Sequence, residues 1–373
     1  MKLARARLTP FALPLRTALT TAHGAETARP GVLVELETAD GRVGCGEATP
    51  PGGFGAETAD VCLARGAELC RELLDAGPRP AELHLARLDA AAAGPCTRFA
   101  LETALLDLCA RKRGVPLADV LAGGRATRRS VALNALLSAA TPEHAAVEAR
   151  RALAEGFETL KLKVGSGSPA ADCARVSAVR AAVGDEAELR IDANGAWDVD
   201  LAISILRELD AEELELAEQP VAAGDVAGLA RVRAAVLVPI AADESAADPA
   251  RASELVERRA VDALVLKPAV LGGLRAALAL AVRARAAGVR VWVTSALDGA
   301  IGRAAALALA AALPGPLPAC GLATGAWLAA DLGHGPEPKD GCLDLCEEPG
   351  LGAAPDRAAL AALATGPAVE LVP

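Results

Sequence analysis

The sequence is poor in aromatic residues. Of its 373 residues only 2% are aromatic and none is Tyr, whereas hydrophobic residues make up 53%. A buried core must therefore be built mainly from Ala, Leu and Val. A chain of this length suggests two domains, with enough material for a large core.

The sequence also lacks an excess of positive charge and a long apolar segment. Its 38 basic and 48 acidic residues give a net charge of −10, which argues against nucleic acid as a partner. The charged N-terminal residues 1–7 precede no apolar segment, so no signal peptide is expected. The apolar run at 304–313 spans about ten residues, too few to cross a membrane. These absences predict a soluble, cytoplasmic protein with no membrane partner.

Paired cysteines are lacking as well. The nine Cys residues are scattered and form no CxxC motif, so neither a zinc site nor a redox dithiol is indicated. Most are expected to be free thiols buried as small hydrophobic residues.

What the sequence does contain is a short strand pattern at 159–164 that carries Lys161 and Lys163. Side chains alternate between the faces of a strand, so both lysines point the same way. Two ammonium groups on one face of a buried strand are costly unless they meet an anion or take part in chemistry. Taken alone, the pattern also fits an edge strand with solvated lysines.

Four further strand patterns follow and end in Asp192, Glu218, Asp243 and Lys267, at intervals of 24 to 29 residues. Each interval is about one strand-and-helix unit, and parallel strands joined by helices place their equivalent ends on one rim. Singly, a strand-end Asp is more often a helix N-cap. The series Lys, Asp, Glu, Asp, Lys, which begins at Lys163, predicts a metal site between two candidate acid–base groups.

Strand and helix patterns alternate from residue 130 onward, and Gly or Pro stands where most of the helices should end. The pattern predicts an α/β fold, a modified TIM barrel of (β/α)7β type over residues 126–328. The predicted strands are 131–137, 159–164, 188–193, 214–218, 239–243, 263–267, 290–294 and 319–323. The predicted helices are 142–155, 169–183, 199–210, 225–236, 249–258, 272–287 and 299–313.

Residues 1–125 break this alternation and predict a separate α+β capping domain. Its expected strands are 2–8, 31–38 and 43–47, and its expected helices are 56–76, 80–92 and 98–113. Two loops, 16–24 and 49–57, are either ordinary surface loops or lids over the barrel rim. Residues 329–373 are expected to pack back on the capping domain, with a solvated acidic loop at 337–348.

The three rim carboxylates suit Mg²⁺, or alternatively Mn²⁺, because Asp192, Glu218 and Asp243 supply hard oxygen ligands. A divalent cation on a substrate carboxylate stabilises the charge that develops when the neighbouring carbon loses its proton. A partly desolvated lysine beside that cation has a lowered pKa and becomes a usable base. Lys163 and Lys267 would face opposite sides of the substrate. The expected partner is a small-molecule carboxylate, and assembly into an oligomer is compatible with the sequence.

The joint pattern resembles the enolase superfamily, in its muconate-lactonising branch. The resemblance covers nearly the whole chain, including a capping domain whose loops close the site. Enzymes of this superfamily use a Lys or His base with Mg²⁺ to form an ene-diolate. The matching motifs are Lys161-x-Lys163, Asp192-x-Asn194, Glu218-Gln-Pro, Asp243-Glu244-Ser and Lys267.

Within that branch the sequence is most similar to the o-succinylbenzoate synthase family, through residues 14–24, 294–302, 319–325 and 328–331. Members usually carry Ser-Ser-Ala-Leu-Glu-Ser-Ser after the seventh strand, whereas residues 298–300 here read Asp-Gly-Ala. The resemblance implies dehydration of 2-succinyl-6-hydroxy-2,4-cyclohexadiene-1-carboxylate in menaquinone biosynthesis.

The resemblance also implies roles for the lysines. Lys163 would remove the α-proton and then protonate the departing hydroxyl, and Lys267 would stay protonated and stabilise the enediolate. Lys161 would lower the pKa of Lys163 by like-charge repulsion. Residues expected to contact the substrate or support the site are Asn194, Glu244, Ser295, Arg16 and Phe54.

Two alternatives remain open at this point. One is an N-acylamino acid racemase or dipeptide epimerase on the same site, in which Lys163 and Lys267 both exchange protons. The other is a non-catalytic metal-binding scaffold, which the intact rim disfavours.

Overall fold

The N-terminal part of this computed structural model, which describes residues 1–21, 24–52 and 57–373, is an antiparallel sheet covered by helices. Each pair of neighbouring strands in it runs antiparallel. The elements are β1 (Leu3–Thr21), β2 (Gly24–Thr38), β3 (Val43–Ala48), α1 (Ala59–Asp75), α2 (Ala81–Ala90), α3 (Pro95–Arg113) and α4 (Leu117–Ala122).

Helix α3 lies in contact with β3 because glycines allow the two backbones to approach closely. A Cβ atom on Gly46 would stand 1.8 Å from the carbonyl oxygen of Ala100, and one on Gly44 would stand 2.3 Å from that of Ala104. Any side chain at these positions would push the helix off the sheet. The small residues of β3 therefore fix how the capping helix packs.

The first two strands are longer than predicted. Strand β1 continues to Thr21 and β2 begins at Gly24, with paired residues resuming at Leu19 and Glu26 after a register shift beyond Pro14. The prediction of a loop from residue 16 was therefore wrong for 16–21, because Thr and Leu in this stretch extend the hairpin. Residues 22–23 and 53–56, which belong to the two predicted loops, lie outside the described residues.

The following part of the chain alternates strands and helices around a seven-stranded parallel sheet in sequence order from β5 to β11. This architecture confirms the predicted fold class. Its elements are β4 (Ser130–Ala132), β5 (Asn134–Leu137), α5 (Pro142–Ala154), β6 (Thr159–Lys163), α6 (Pro169–Val183), β7 (Glu188–Asp192), α7 (Val199–Glu208), β8 (Leu216–Glu218), α8 (Val226–Ala235), β9 (Ile240–Ala242), α9 (Pro249–Glu257), β10 (Ala263–Leu266), α10 (Leu274–Ala286), β11 (Arg290–Val293) and α11 (Ala300–Ala312).

The two edges of this sheet meet at the predicted eighth strand, of which only isolated bridges form. Cys320 is bridged to Leu133, and Gly321 is bridged to Thr294, both in parallel. The amide of Gly321 donates to the carbonyl oxygen of Val293 at 3.0 Å. The barrel is therefore closed by two residues instead of a full strand.

The barrel helices begin in two different ways. Five of them, α5 to α9, start at a Thr, Ser or Asp whose side chain accepts a hydrogen bond from the first turn. Helices α10 and α11 start at Gly273 and Gly299, which have no such side chain. Their first turns are bonded by carboxylates of the capping domain: Glu102 accepts from the amide of Arg275, and Glu47 from that of Gly302. Helix capping thus joins the two domains.

The C-terminal segment returns to both parts of the molecule. Strand β13 pairs with β4, and β15 pairs with β1 at the edge of the capping sheet. The side chain of Arg357 forms two hydrogen bonds with Glu35 of β2, at 2.9 and 2.6 Å. The elements are β12 (Gly333–His334), β13 (Cys342–Asp344), β14 (Ala354–Pro355), α12 (Arg357–Leu363) and β15 (Val369–Leu371).

All nine cysteines are free thiols, and seven of them are buried, as the sequence predicted. Among the helices of the described residues, none is long and apolar enough to span a bilayer.

One arginine lies inside the barrel. Arg190 of β7 is 1% exposed, forms an ion pair with Glu215 at 2.6 Å and stacks over Trp292, with its guanidinium carbon 4.8 Å from the ring centroid. Its side chain points to the same face as that of Asp192, two residues further along the strand. Arg190 therefore lies in the barrel interior beneath the rim.

We predict that Arg190→Met will destabilise the protein by about 3 kcal/mol, because it leaves the carboxylate of Glu215 largely buried without its nearest partner. Urea unfolding measures the change. Arg231→Met, which removes an exposed ion pair with Asp200, is the matched control and should stay within about 0.5 kcal/mol of wild type. Equal losses in the two variants would contradict the prediction.

Candidate active site

Lys161 and Lys163 lie on one face of β6, as their spacing predicted. Their side chains are 16% and 35% exposed. Leu160, which precedes Lys161, and Leu162, which lies between the two lysines, are fully buried. The face that carries the lysines lines the barrel interior and reaches its rim at Lys163. The apolar residues of the opposite face anchor the strand against the surrounding helices.

Asp192 and Glu218 stand beside these lysines because of the strand register. Lys163 pairs with Asp192, and Asp192 pairs with Glu218, on consecutive parallel strands. The Nζ atom of Lys161 lies 2.9 Å from Oδ2 of Asp192 and 2.7 Å from Oε1 of Glu218. The Nζ atom of Lys163 lies 2.6 Å from Oδ2 of Asp192. Both carboxylates are buried.

Asp243 and Lys267 complete the series at the ends of β9 and β10. Both oxygens of Asp243 accept hydrogen bonds from Nζ of Lys267, at 2.5 and 2.6 Å. The side chain of Lys267 is 12% exposed, about a third of the exposed fraction of Lys163. The five residues predicted from their spacing therefore meet at one rim, but the two outer lysines have different surroundings.

The charges at the rim shift several pKa values. Burial alone would lower the pKa of Lys161, but Asp192, Glu218 and Asp243 outweigh it and hold that pKa above its usual value. Burial also opposes the carboxylate of Asp192, yet Lys161 and Lys163 hold its pKa well below the usual range. Burial, together with Asp192 and Asp243, raises the pKa of Glu218 to about 8.

Lys267 shows the same balance as Lys161. Burial would lower its pKa, and Asp243 and Glu244 raise it above the usual value. The carboxylates beside Lys161 and Lys267 thus favour the charged form of both lysines in this arrangement.

Asn194 and Glu244 extend the site away from Lys163. The Nζ atom of Lys163 donates to Oδ1 of Asn194 at 2.7 Å, and Nδ2 of Asn194 donates to Oε1 of Glu244 at 2.8 Å. Asn194 has a φ of 45°, a left-handed conformation that Asn tolerates better than most residues. Asn194 therefore holds the Lys163 side chain directly, and Glu244 holds Asn194.

Gln219 is a supporting residue that sequence reasoning missed. It is buried with a φ of 41°, and its Oε1 accepts from the amides of Asp243 and Ser245 at 3.1 and 3.0 Å. Its Nε2 donates to the carbonyl oxygen of Val221. Its position between Glu218 and a proline was the available signal.

The oxygen ligands at the rim fit a hard divalent cation. In the described parts of the chain, no three Asp, Glu, His or Cys side chains already form a cation cage. Lysine ammonium groups lie against the carboxylates instead. Yet Oε2 of Glu218 and Oε2 of Glu244 are buried without a hydrogen-bond partner. Unpartnered carboxyl oxygens suit Mg²⁺ or Mn²⁺ better than zinc, because these two ions prefer hard oxygen ligands.

Ser295 and Arg16, two further predicted contacts, lie in different places. Ser295, just beyond β11, is buried, and its Oγ lies 2.6 Å from Oγ1 of Thr324 near the eighth strand position. Arg16 lies on the exposed arm of β1. Phe54 lies outside the described residues. Thr324 was not singled out from the sequence, because a lone Thr carries no distinctive spacing.

A second buried polar cluster, also missed, joins the capping domain to the barrel near Ser295. Glu47, at the end of β3, is fully buried, and burial together with Asp298 raises its pKa to about 7. Arg29 of β2 is 3% exposed and donates to the carbonyl oxygens of Thr49 and Ala296, both at 3.3 Å. Glu47 gave the same signal as the rim residues, a charged residue at a strand end.

Fold and site together define the class of the protein: an enolase-type barrel with a capping domain. Residues 3–122 match the mandelate racemase / muconate lactonizing enzyme N-terminal domain, and residues 144–359 match the enolase C-terminal domain-like model. The chain belongs to the mandelate racemase and muconate lactonizing enzyme family of the enolase superfamily, a family of enzymes. The resemblance predicted from the sequence is confirmed.

The known relatives include a synthase and epimerases. The chain is 49% identical to o-succinylbenzoate synthase of Thermobifida fusca over 210 residues, which are 55% of this chain and 63% of that protein. The match therefore spans less than two thirds of the synthase. The chain is also 35% identical to L-Ala-D/L-Glu epimerase of Bacillus subtilis over 306 residues, which are 81% of this chain and 82% of that protein.

A solved structure with the same fold contains magnesium. The dipeptide epimerase from Cytophaga hutchinsonii, complexed with Mg and the dipeptide D-Ala-L-Val, superposes with a TM-score of 0.88. It is 29% identical, and the alignment covers 99% of this chain and 100% of the epimerase.

We predict that Mg²⁺ binding will release protons and will strengthen as the pH rises toward 8. The pKa of Glu218 is raised to about 8, so below that pH its carboxyl group holds a proton that a cation must displace. Calorimetric Mg²⁺ titrations at pH 6.5 and pH 8, in two buffers with different ionisation enthalpies, measure both effects. Glu218→Gln is the control, because a glutamine has no such proton to release when the cation binds. A wild-type affinity independent of pH, with no proton release, would contradict the prediction.

Proposed function

We propose that the protein is an o-succinylbenzoate synthase, which dehydrates 2-succinyl-6-hydroxy-2,4-cyclohexadiene-1-carboxylate. The observation that carries the proposal is the difference between the two outer lysines. Lys267 is held by both oxygens of Asp243, is 12% exposed and has a raised pKa, whereas Lys163 is 35% exposed and contacts one carboxylate oxygen and an amide. A fixed cation and a more accessible amine suit a reaction in which one lysine supplies charge and the other moves protons.

In this reaction Lys163, as a neutral amine, takes the α-proton at its Nζ atom. The electron pair of the broken C–H bond forms the new C=C bond, the C–O bond to the hydroxyl breaks, and Lys163 returns its proton so that water leaves. The ammonium group of Lys267 stabilises the negative charge that develops on the substrate carboxylate.

Asp192, Glu218 and Asp243 are the residues that would hold the divalent cation. When bound, Mg²⁺ or Mn²⁺ supplies positive charge at the substrate carboxylate and so makes the α-proton more acidic.

The ends of the last two barrel strands favour a substrate without a free amine. Residues 294–296 and 321–324 carry hydroxyl groups, small side chains and one Leu, but no carboxylate. The nearest acid along the chain, Asp298, is buried, and its Oδ2 accepts from the amide of Ala296 at 2.9 Å. If the amino end of a dipeptide lay there, its ammonium group would have no anionic partner, which is unfavourable in a desolvated site. The similarity to the Thermobifida synthase supports the same choice.

An N-acylamino acid racemase is the second candidate. Its support is that Lys163 and Lys267 approach the carboxylates from opposite ends of the series, an arrangement that also suits proton transfer on both faces of one carbon. The similarity to epimerases over most of the chain points in the same direction.

The two candidates predict different behaviour of the lysine variants. In the synthase, Lys163→Ala should lower the dehydration rate by about 10²–10⁴-fold, because it removes the acid–base group. Lys267→Arg keeps the positive charge but changes its shape, so a large loss with residual dehydration is expected. Lys112→Ala, an exposed capping-domain lysine, is the control. The assay follows o-succinylbenzoate formation by the Mg²⁺-loaded enzyme.

Deuterium exchange provides the opposing outcome. In deuterated water, a racemase would exchange the α-proton of both enantiomers of an N-succinylamino acid at the rate of turnover, one through each lysine. If Lys267 performs such exchange and the cyclohexadiene substrate is not dehydrated, the synthase proposal is rejected.

A further inference from the structure

The segment between β11 and α11 contains a strained residue at the barrel mouth. Leu297 has a φ of 61°, in the left-handed region that a branched apolar residue rarely adopts. Its side chain is partly exposed, whereas Ser295, Ala296, Asp298 and Gly299 around it are buried. Such backbone strain persists only where the surroundings dictate it, and it is concentrated at functional sites.

Hydrogen bonds on both sides of Leu297 impose this conformation. Before it, Oδ2 of Asp298 accepts from the amide of Ala296 at 2.9 Å, and Arg29 donates to the carbonyl oxygen of Ala296 at 3.3 Å. After it, Arg303 donates to the carbonyl oxygen of Asp298 at 3.0 Å. The backbone on either side of Leu297 is therefore fixed by side chains.

Glu47 of the capping domain fixes the next residues. Its Oε1 accepts from the amide of Gly299 at 2.5 Å and from the hydroxyl of Thr49 at 2.6 Å, and its Oε2 accepts from the amide of Gly302 at 2.9 Å. The fit leaves no free space, since a Cβ atom on Gly299 would stand 2.9 Å from Oε2 of Glu47. Two capping-domain residues, Glu47 and Arg29, thus hold a barrel loop that presents one apolar side chain.

We propose that Leu297 is a specificity-determining residue that contacts the apolar part of the substrate, and that Glu47 and Arg29 are positioning residues that hold it there. Leu297 follows Ser295 at the carboxyl end of a barrel strand, the end at which the rim lysines and carboxylates also lie. Capping of α11 alone would require only the Glu47 carboxylate and would leave the strain at Leu297 unexplained. The identity of the substrate rests on the proposed function.

The test measures binding to the Mg²⁺-loaded protein by calorimetry with two probes, o-succinylbenzoate and N-succinyl-phenylalanine. Leu297→Gly should weaken the binding of each probe that the wild type binds by about ten- to a hundredfold, the loss expected for one buried Leu contact. Glycine adopts the same φ without strain, so this variant should keep the fold. Leu237→Gly, which changes a Leu that is 87% exposed, is the matched control and should bind as wild type does.

Glu47→Gln tests the positioning role. An amide group cannot accept from Gly299, Gly302 and Thr49 together, so amide hydrogen exchange over residues 296–302 should become faster and probe binding weaker. If Glu47 acts through Leu297, the double variant should bind no more weakly than Leu297→Gly alone. Glu35→Gln, a change of a buried glutamate whose carboxylate is bonded by Arg357 and not by the barrel loop, should lower stability without changing affinity.

Each outcome decides one claim. Unchanged affinity of Leu297→Gly rejects the substrate contact, and fully additive effects of the two variants reject the positioning role of Glu47. If the wild type binds only N-succinyl-phenylalanine, the proposed synthase is rejected, and the contact of Leu297 is tested with that probe. Wild-type binding of neither probe rejects both the synthase and the contact.

Discussion

The structure depends on matching buried carboxylates with buried lysines at one end of the barrel. An isolated ionised carboxylate in a desolvated interior is highly unfavourable. Asp192, Glu218 and Asp243 are tolerated because Lys161 and Lys267 lie within hydrogen-bonding distance. The pairing of carboxylates with lysines is incomplete, since one oxygen of Glu218 has no hydrogen-bond partner. The same charges that oppose folding thus suit the divalent cation that we propose the rim binds.

The capping domain is tied to the barrel by the same type of interaction, a buried carboxylate with a specific partner. Glu47 and Glu102 each accept from backbone amides in the first turn of a barrel helix. Helix N-termini carry partial positive charge, which favours a carboxylate there. These two helices follow the strands that end near Lys267 and Ser295. The domain interface is therefore coupled directly to the loops that surround the site.

A core with few aromatic residues is compatible with this arrangement because helices and strands approach closely. Helix α11 is buried along its whole length and consists largely of Ala. The glycines of β3 allow contact with the backbone of α3. Small side chains produce many short contacts, and dense packing of this kind replaces the area that aromatic residues usually bury.

The sequence by itself determined the periodicity of strands and helices, the order of charged residues at strand ends and hence the family. These features follow from local spacing, and the strand register then brings Lys163, Asp192 and Glu218 side by side. Only the tertiary structure decided which residues meet across the domain boundary. Glu47 and Gly299 are separated by 252 residues, so no local pattern predicts their hydrogen bond. The strain at Leu297 likewise depends on those distant contacts, because its backbone conformation is imposed by the fold and not by its own side chain.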